Sequence, residues 1–522
     1  MADLTISVDE VEHAEGRRVS QADYLACALL TLGIVIRLRE WMAGRSLWQD
    51  EALLSMNLLG RDLAGLLAPL DFQQMAPPGY LWAVKGIISL PGPDELSLRA
   101  FAMLAGIGLT LAGWWLARRL FGPWPAAAAA AMLALSPGAI YYSNEVKPYS
   151  SDALTAAILL LAGTWAIARE LTWRRAALLA ALGAVAVWSS YPAPFTLVGV
   201  GLALAMASAN RKEWGAVSRL AVVGVVWACS WGVVYHLARQ GATNDYMHQY
   251  WRDQFLDLSL EAPYRAARSV VLALDVPAQT FRSPLDPWNG AERITALMLA
   301  MVALGVCALA RRRMVPSLCL LLSAPLMTLV AAAAHMYPLE FRLLLFMVPS
   351  LAVLAAGGVW FLSSRGLPQV ATLLVVITLI WSCVADVQTL RNPSDREDAV
   401  GMLRLLASEA RPGDTVYVWP GPGSAVDFYR RTRPSLWRSD LQAIWPDRHT
   451  TPEKRLEEIV SLCGRPRVWL AASHLFPLHA HADVLAALRA RGAIVTSRTF
   501  EGADLTLLDL RNLPCQQSAR GQ

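Results

Sequence analysis

The chain of 522 residues is poor in charge, since Asp, Glu, Lys and Arg make up only 17% of it, whereas 55% is hydrophobic. In ordinary soluble domains about a quarter of the residues are charged. A single soluble domain of this length would have to bury more apolar surface than one core can hold. These proportions exclude a plain cytosolic enzyme, a disordered chain and a fibrous repeat. They favour a polytopic membrane protein with a soluble part attached.

The chain also lacks the motifs of several common enzyme classes. It contains no P-loop, no GxGxxG dinucleotide fingerprint, no GxSxG and no HExxH, which argues against a membrane ATPase or a zinc protease. Its seven cysteines form no CxxC pair and no Cys/His cluster, so we expect no structural zinc site. Outside the apolar runs, Cys463 and Cys515 either pair in an oxidising compartment or stay free thiols.

Long apolar runs are abundant instead. A helix needs about 20 residues to cross the hydrocarbon core of a membrane. After a cytoplasmic tail at 1–21, we therefore predict an all-α polytopic membrane domain over 22–388, with about eleven transmembrane helices and at most about thirteen. The predicted spans are 22–41, 97–117, 125–142, 150–168, 175–190, 192–209, 216–237, 291–310, 316–335, 341–362 and 367–387.

The basic residues set the predicted orientation of these spans. Clusters of Lys and Arg fall in alternate loops, on the same side as Arg17 and Arg18. Short loops rich in Lys and Arg stay in the cytoplasm, so the remaining loops face outward. Two of the outward loops, 42–96 and 238–290, are long, and we expect interfacial helices in both, including a non-spanning helix at 80–90. This predicts a multi-pass membrane protein.

From about residue 389 onward, short strand-like runs alternate with helical patterns. This alternation predicts a small α/β domain over 389–522, which the threading places outside the cytoplasm. The charged stretch 395–398 is expected to open a polar helix. The predicted strands are 415–419, 468–472, 493–496 and 505–510, and the predicted helices are 453–462 and 481–490.

Charged residues concentrate in the outward loops. Asp50 and Glu51 follow the first span, and a carboxylate beside a dry cleft can act as a general base on a hydroxyl or as an electrostatic stabiliser. The alternative is a solvated helix start, where Asp interacts favourably with the helix dipole. A second outward loop contains Glu145, Lys147 and Asp152, and there the alternative is an aromatic-belt loop with ordinary flanking charges.

Two further outward segments are candidates for substrate binding. Arg342 begins a very apolar helix just after Tyr337, where a guanidinium suits a phosphate at headgroup level or merely snorkels to set helix depth. The polar and aromatic run 244–253 suits stacking on sugar rings, and the alternative is an interfacial helix that covers the cleft.

Several short segments occur in an order that resembles a known family. These are SLWQDEA at 46–52, APPGYL at 76–81, RRLFG at 118–122, YYSNE at 141–145, and Tyr337-Pro338 with RLLLF at 342–346. The chain resembles the bacterial protein-mannosyltransferase and lipid A aminoarabinose-transferase group of membrane glycosyltransferases, which share the C-type architecture. The resemblance covers 22–365 and, more weakly, the C-terminal domain.

The resemblance implies transfer of a sugar from a polyprenyl-phosphate donor to a lipid, glycan or protein acceptor on the outer face of the membrane. It implies that Asp50 is the catalytic base, supported by Glu51, and that Lys85 and Arg342 hold the donor phosphate. It implies neither a cofactor nor a nucleic-acid partner, and a divalent metal is not expected. The residues expected to shape the site or hold the acceptor are Glu145, Lys147, Asp152, Tyr337 and Tyr142.

Two positions depart from the family pattern. Gln74-Met75-Ala76 stands where His or Lys is common before the paired prolines, and Lys147-Pro148 stands where Arg-Met is common. A base opposite a phosphate clamp suits a single displacement, which inverts the anomeric centre. Two other functions stay open. One is a polyprenyl-sugar or lipid flippase, typically built from inverted repeats. The other is an oligosaccharyltransferase-like enzyme with a divalent metal on Asp50, Glu145 and Asp152.

Overall fold

The structure is a computed structural model of the chain. It describes residues 20–242, 249–257, 259, 264, 288–391, 396–421, 424–447, 450–475 and 479–513. Most of the long predicted outward loop 238–290 and of the predicted tail 1–21 lies outside these residues. Cys463 takes part in a disulfide bond, and Cys515 lies outside the described residues, so the pairing of these two cysteines stays a prediction.

The first part of the chain is helical. Its helices are α1 (Gln21–Met42), α2 (Gln49–Gly60), α3 (Pro78–Ile88), α4 (Glu95–Phe121), α5 (Pro123–Ala134), α6 (Pro137–Tyr142), α7 (Tyr149–Ile167), α8 (Trp173–Ser189), α9 (Ala193–Asn210), α10 (Ala216–Ala242), α11 (Trp288–Arg311), α12 (Val315–Ala333), α13 (Val348–Ser364) and α14 (Pro368–Arg391). Short 3-10 turns lie at Gly65–Leu67, Asp71–Gln73, Arg252–Gln254 and Phe341–Met347.

The predicted membrane domain is confirmed. Within the described residues, seven helical segments are long and apolar enough to cross a membrane, and shorter apolar helices accompany them. The long segments coincide with predicted spans, for example α4 with 97–117 and α7 with 150–168. Helix α3 has 11 residues, about 16 Å at 1.5 Å per residue. It is too short to cross the hydrocarbon core, as expected for residues 80–90.

The predicted span 125–142 is not one helix. It divides into α5 and α6, and Ser136 between them is extended, with φ −68° and ψ 115°. The cause is Pro137, because proline disfavours the α conformation of the residue before it. Arg37 of α1 donates from Nη1 to the Ala134 carbonyl at 2.7 Å and from Nη2 to the Leu133 carbonyl at 2.9 Å. This buried arginine satisfies carbonyl groups that the helix break leaves free.

The C-terminal part is the predicted small α/β domain. Its five-stranded sheet has the order β2-β1-β3-β5-β4, with β1 parallel to β2 and β3, and β5 antiparallel to β3 and β4. The short strand β2 has no apolar run, and the sequence did not predict it. The strands are β1 (Thr415–Trp419), β2 (Gln442–Ile444), β3 (Val468–Ser473), β4 (Ile494–Phe500) and β5 (Ala503–Leu508). The helices are α15 (Ala399–Glu409), α16 (Ala425–Thr432), α17 (Pro452–Val460) and α18 (His479–Ala490).

The polar helix predicted to open at 395–398 begins later. Helix α15 starts at Ala399, and the side chain of Asp398 caps it by accepting a hydrogen bond from Gly401 N at 2.7 Å. Asp, Ser, Thr and Asn are preferred at this cap position because their side chains accept from the free N–H groups of the first turn. The charged stretch therefore precedes the helix, and Arg396 is free to turn toward the membrane domain.

The sheet domain packs directly on the loop helices of the membrane domain. One buried apolar cluster contains Leu54 of α2 and Tyr80 of α3 together with Leu403 of α15 and Phe428 of α16. The hydroxyl of Tyr429 accepts a hydrogen bond from Leu47 N at 2.8 Å and lies 2.9 Å from Oε1 of Glu95. The C-terminal domain therefore lies over the first residues of α2, where Asp50 is found.

Candidate active site

Asp50 lies in the first turn of α2, close to two cations from distant segments. Its Oδ2 is 3.4 Å from Nη1 of Arg342 and 3.8 Å from Nζ of Lys147. Burial by itself would raise the pKa of Asp50, but the charges of Lys147 and Arg342 outweigh it, so this pKa is below its usual value. Asp50 is therefore ionised at neutral pH, and its side chain is 29% exposed. We call Asp50, Lys147 and Arg342 the Asp50 site.

Glu51, the neighbour of Asp50, points elsewhere and is fully buried. Its carboxylate accepts hydrogen bonds from Nε of Arg99 at 2.8 Å and Nη2 of Arg99 at 2.6 Å. Oε1 also accepts from Val146 N at 2.8 Å. A buried charge needs such partners to offset its desolvation. Glu51 therefore joins α2, α4 and the 143–148 loop, and this geometry gives it a positioning role next to Asp50.

Lys147 and Gln74 are in direct contact. Nζ of Lys147 donates to Oε1 of Gln74 at 2.7 Å, and Lys147 is buried. Both residues stand at the two positions where the sequence departs from the family pattern. The structure therefore places one departure from the family pattern against the other, beside Asp50.

Glu145 and Arg396 form the second charged pair near Asp50. Oε1 of Glu145 is 3.6 Å from Nη1 of Arg396, and Glu145 is buried. Burial raises the pKa of Glu145, and the Arg396 charge opposes that rise. The Arg396 guanidinium lies 4.1 Å from the Trp48 ring centroid and 5.7 Å from that of Tyr141. Arg396 also contributes to the lowered pKa of Asp50.

The other predicted site residues are not all at Asp50. Nζ of Lys85 donates to the Leu58 carbonyl at 2.6 Å. Leu58 is eight residues beyond Asp50 on α2, about 12 Å along the helix axis. The structure therefore does not bring Lys85 to the cations that flank Asp50. The prediction that Lys85 holds the donor phosphate has no geometric support here.

Asp152 and the two predicted tyrosines surround the site rather than face Asp50. The Tyr337 hydroxyl donates to the Leu343 carbonyl at 2.8 Å, so this polar atom is already used. The Tyr142 ring packs edge-on against Tyr149 at 5.3 Å. Asp152 is buried and lies close enough to act on Tyr191. The burial of Tyr191 raises its pKa, and the charge of Asp152 raises it further. Asp152 thus belongs to a neighbouring buried group.

The part of the predicted sugar-stacking run that the structure describes approaches Arg342. The Arg342 guanidinium lies 5.5 Å from the ring centroid of Trp251, which packs edge-on against Tyr250 at 4.8 Å. Residues 243–248 of this run, with Asn244, Asp245 and His248, lie outside the described residues. Trp251 therefore provides an aromatic face next to the cation of the Asp50 site.

Within the described ranges, no group of three or more His, Cys, Asp or Glu residues is arranged to hold a metal ion. Asp50 is paired with Lys147 and Arg342, and Glu145 is paired with Arg396. The positive groups beside these carboxylates are therefore Lys and Arg side chains. The expectation that the reaction uses no metal or cofactor stays a prediction.

Comparison with known proteins identifies the fold. Residues 75–234 match the family model described as dolichyl-phosphate-mannose-protein mannosyltransferase. The structure is similar to that of ArnT from Cupriavidus metallidurans in the apo state, with 15% identity, a TM-score of 0.54, and coverage of 92% of this chain and 98% of that chain. The chain has the C-type glycosyltransferase fold. No sequence among the curated proteins matches it.

Two further solved structures share this C-type glycosyltransferase fold. One is ArnT from Cupriavidus metallidurans bound to undecaprenyl phosphate, at 13% identity and a TM-score of 0.52, covering 91% of this chain and 97% of that chain. The other is the Archaeoglobus fulgidus oligosaccharyltransferase tethered with an acceptor peptide, at 12% identity and a TM-score of 0.51, covering 90% and 71%. The resemblance inferred from the ordered motifs is confirmed.

Sequence reasoning missed several residues around the Asp50 site. Arg396 was assigned to a helix start, Arg99 lay within the predicted span 97–117, and His474 had no assigned role. His474 stacks on Trp48 with ring centroids 6.4 Å apart, and its Nδ1 lies 2.7 Å from Oε1 of Glu397. A charged stretch directly before a soluble domain carries no local signal that one arginine turns back to the membrane surface. Only the docking of the two domains shows it.

Proposed function

We propose that this protein is a membrane glycosyltransferase that moves a sugar from a polyprenyl-phosphate donor to a hydroxyl of a lipid, glycan or protein acceptor. The observation that carries the proposal is the meeting of Asp50 with Lys147 and Arg342. A sugar transfer from a phosphate carrier needs a base for the acceptor hydroxyl and cations for the leaving phosphate. The Asp50 site supplies both, within hydrogen-bonding or ion-pair distance of each other.

The chemistry assigned to these groups is a single displacement. The acceptor oxygen attacks the anomeric carbon as its proton passes to the Asp50 carboxylate. The bond between that carbon and the phosphate oxygen breaks, and the negative charge stays on the lipid phosphate beside Arg342 and Lys147. Arg342 lies at the start of the apolar segment Phe341–Ser364. An attack opposite the leaving group inverts the anomeric configuration.

We place the reaction on the outer face of the bacterial inner membrane. Helix α4 has 27 residues and about 40 Å of length, which is enough to cross the membrane. Arg99 near its start contacts Glu51 of the site, whereas Arg118 and Arg119 lie in its last turn. Since short loops rich in basic residues stay in the cytoplasm, the end with the site faces outward. The disulfide of Cys463 fits an oxidising compartment for the C-terminal domain.

Binding of undecaprenyl phosphate to the purified full-length protein, measured by native mass spectrometry, tests the donor part of this proposal. We expect Arg342→Gln to weaken binding by about tenfold or more, because it removes a charge-assisted contact to the phosphate. Lys85→Gln is the matched control, since it also removes one cation, but one that contacts the Leu58 carbonyl and lies outside the Asp50 site. Equal affinity of the wild type and Arg342→Gln would contradict the proposal.

A further inference from the structure

Arg396 connects the C-terminal domain to the Asp50 site, where its guanidinium pairs with Glu145 by charge but donates no hydrogen bond to any residue that the structure describes. The guanidinium lies 4.1 Å from the Trp48 ring centroid, and its side chain is 35% exposed. Its ion pair with Glu145 is 3.6 Å long, beyond hydrogen-bonding distance. In the described part of the chain, no hydrogen bond from the Arg396 guanidinium is formed. An arginine stacked on a ring keeps the fork of N–H groups at its edge available for an anion.

Glu145, the ion-pair partner of Arg396, is also poorly supplied with hydrogen bonds. Glu145 is 2% exposed, and within the described residues neither of its carboxylate oxygens meets a donor at full hydrogen-bond geometry, although the nearby Tyr141 hydroxyl acts on it as a donor and opposes the rise in its pKa that burial causes. A buried carboxylate with so few donors is costly, and a charge pair alone compensates it poorly. The contrast is Glu51, whose carboxylate accepts from both Arg99 and Val146. The Glu145–Arg396 pair therefore has the geometry of an exchangeable contact rather than of a saturated structural one.

Arg396 reaches the Asp50 site from the soluble domain and not from a candidate membrane span. It precedes α15 of the soluble domain, whereas Arg342 lies at the start of an apolar span. In the same domain, His474 has a positive φ of 59°, an uncommon conformation for a residue other than glycine, and its ring stacks on Trp48. Strained backbone that aims a side chain at a cleft is a feature of functional sites. Arg396 thus gives the soluble domain a cation beside the Asp50 site.

We infer that Arg396 is a specificity-determining residue that binds an anionic group, a phosphate or a carboxylate, on the acceptor. The anion takes the place of Glu145 at the guanidinium and is held by paired N–H groups. This inference rests on the proposed function for the identity of the ligand as the acceptor. It makes the C-terminal domain part of the acceptor site rather than a lid over it.

A purely structural role of the pair predicts a different pattern of variants. If the pair only fastened the two domains, removing either partner would loosen the same contact, and both variants would act in the same direction. If Glu145 competes with a bound anion, removing Glu145 strengthens anion binding, while removing Arg396 weakens it. The sign of the Glu145→Gln effect therefore separates the two roles.

The experiment is a ligand-detected NMR titration of glycerol phosphate, with glycerol as the neutral control. The full chain is held in nanodiscs that contain undecaprenyl phosphate, so that Arg342 and Lys147 are already occupied. We expect binding of glycerol phosphate but not of glycerol. Arg396→Gln should weaken it by about tenfold or more, and Arg396→Lys by less, because lysine keeps the charge without the fork. Glu145→Gln should tighten it several-fold.

Arg433→Gln is the control for domain docking, because Arg433 pairs with Glu95 between the same two domains. We expect it to leave glycerol phosphate binding unchanged. Weaker binding in both Arg396→Gln and Glu145→Gln, or equal binding of glycerol and glycerol phosphate, would overturn the inference. Loss of undecaprenyl phosphate binding in Arg396→Gln with glycerol phosphate binding intact would assign Arg396 to the donor and overturn it as well.

Failure of the proposed function gives another result. In that case the wild type does not bind undecaprenyl phosphate, whatever happens at Arg396. The opposite signs of Arg396→Gln and Glu145→Gln with glycerol phosphate would still support an anion site. The two claims are therefore tested by separate ligands.

Discussion

Nη1 of Arg342 lies 3.4 Å from Oδ2 of Asp50, although 292 positions separate the two residues. Asp50 follows the first span, and Arg342 begins a late one. With Lys147 at 3.8 Å from the same oxygen, two cations face a single carboxylate. Two cations beside one carboxylate leave positive charge available for a phosphate, and the more distant Glu340 also acts on Arg342. The site therefore exists only once the first and last parts of the helical domain have packed together.

The first prediction concerns the buried pair of Glu51 and Arg99, whose side chains are 1% and 5% exposed. Glu51→Gln or Arg99→Gln leaves a buried charge without its partner, which costs about 3–5 kcal/mol. We expect a lower yield and a lower thermal midpoint of the purified protein. Arg511→Gln at the exposed pair with Asp509 is the control, where little change is expected. An unchanged thermal midpoint of Glu51→Gln would show that the Glu51–Arg99 pair does not hold the 143–148 loop in place.

A second prediction follows from the lowered pKa of Lys147. Burial lowers this pKa, although Asp50 opposes the effect. Lys147 is charged below its pKa, so the charge is lost as pH rises, at a lower pH than for an exposed lysine with a pKa of about 10.4. We expect kcat/KM to fall on this alkaline limb. Lys147→Arg, which stays charged, should move the alkaline limb to higher pH. An identical limb in both proteins would exclude Lys147 as the group whose titration causes it.

The acidic side of the same profile should be flat. The pKa of Asp50 is lowered by its cations below its usual value of about 3.9, so the base stays ionised through the mildly acidic range. A loss of activity near pH 6 would therefore come from another group.

A third prediction concerns the glycines between α11 and α13. A Cβ at Gly305 would clash with the Leu354 carbonyl oxygen, and one at Gly358 with that of Met301. Backbone atoms cannot move aside as a side-chain end can, so each Gly→Ala change should cost about 1–3 kcal/mol. Gly224→Ala, with no heavy atom within 4 Å, is the matched control in α10. Thermal midpoints of the three variants in one detergent would check this, and equal midpoints would contradict it.

The fourth prediction is stereochemical. A base on the acceptor side and cations on the phosphate side favour one displacement, so the product should have the anomeric configuration opposite to that of the donor. NMR coupling constants of the purified product measure this directly. Retention would indicate a covalent intermediate and would exclude Asp50 as a simple base.

The membrane domain could be predicted because its signals are local. Apolar length and basic loop ends placed α1, α4, α7 and α9 within a few residues. The break at Ser136-Pro137 was not predicted, although a proline often ends a helix. Arg37 stabilises the break with donors from another helix. The strand β2 was missed because it has three partly exposed residues and gains its stability from pairing with β1.

The site was predictable only in part, since motifs identify residues but not the direction of their side chains. Asp50 and Arg342 meet as the resemblance implied. Glu51 turns away because Arg99 and Val146 N satisfy it, and Lys85 is held at the other end of α2 by a carbonyl group. Arg396 was missed because its role depends on how the sheet domain docks, which no spacing in the sequence encodes.

The most direct measurement is mass spectrometry of envelope glycans and lipids from cells that carry the wild type, Asp50→Asn, Asp62→Asn or no gene. Asp62 is the control because it lies on the same outward loop and, among the residues that the structure describes, its side chain accepts a hydrogen bond only from Gly65 N, at 2.7 Å. We predict a sugar-sized mass increment with the wild type and with Asp62→Asn, and its loss with Asp50→Asn and without the gene. An unchanged increment in Asp50→Asn cells, with the protein present in the membrane at wild-type level, would contradict the central claim.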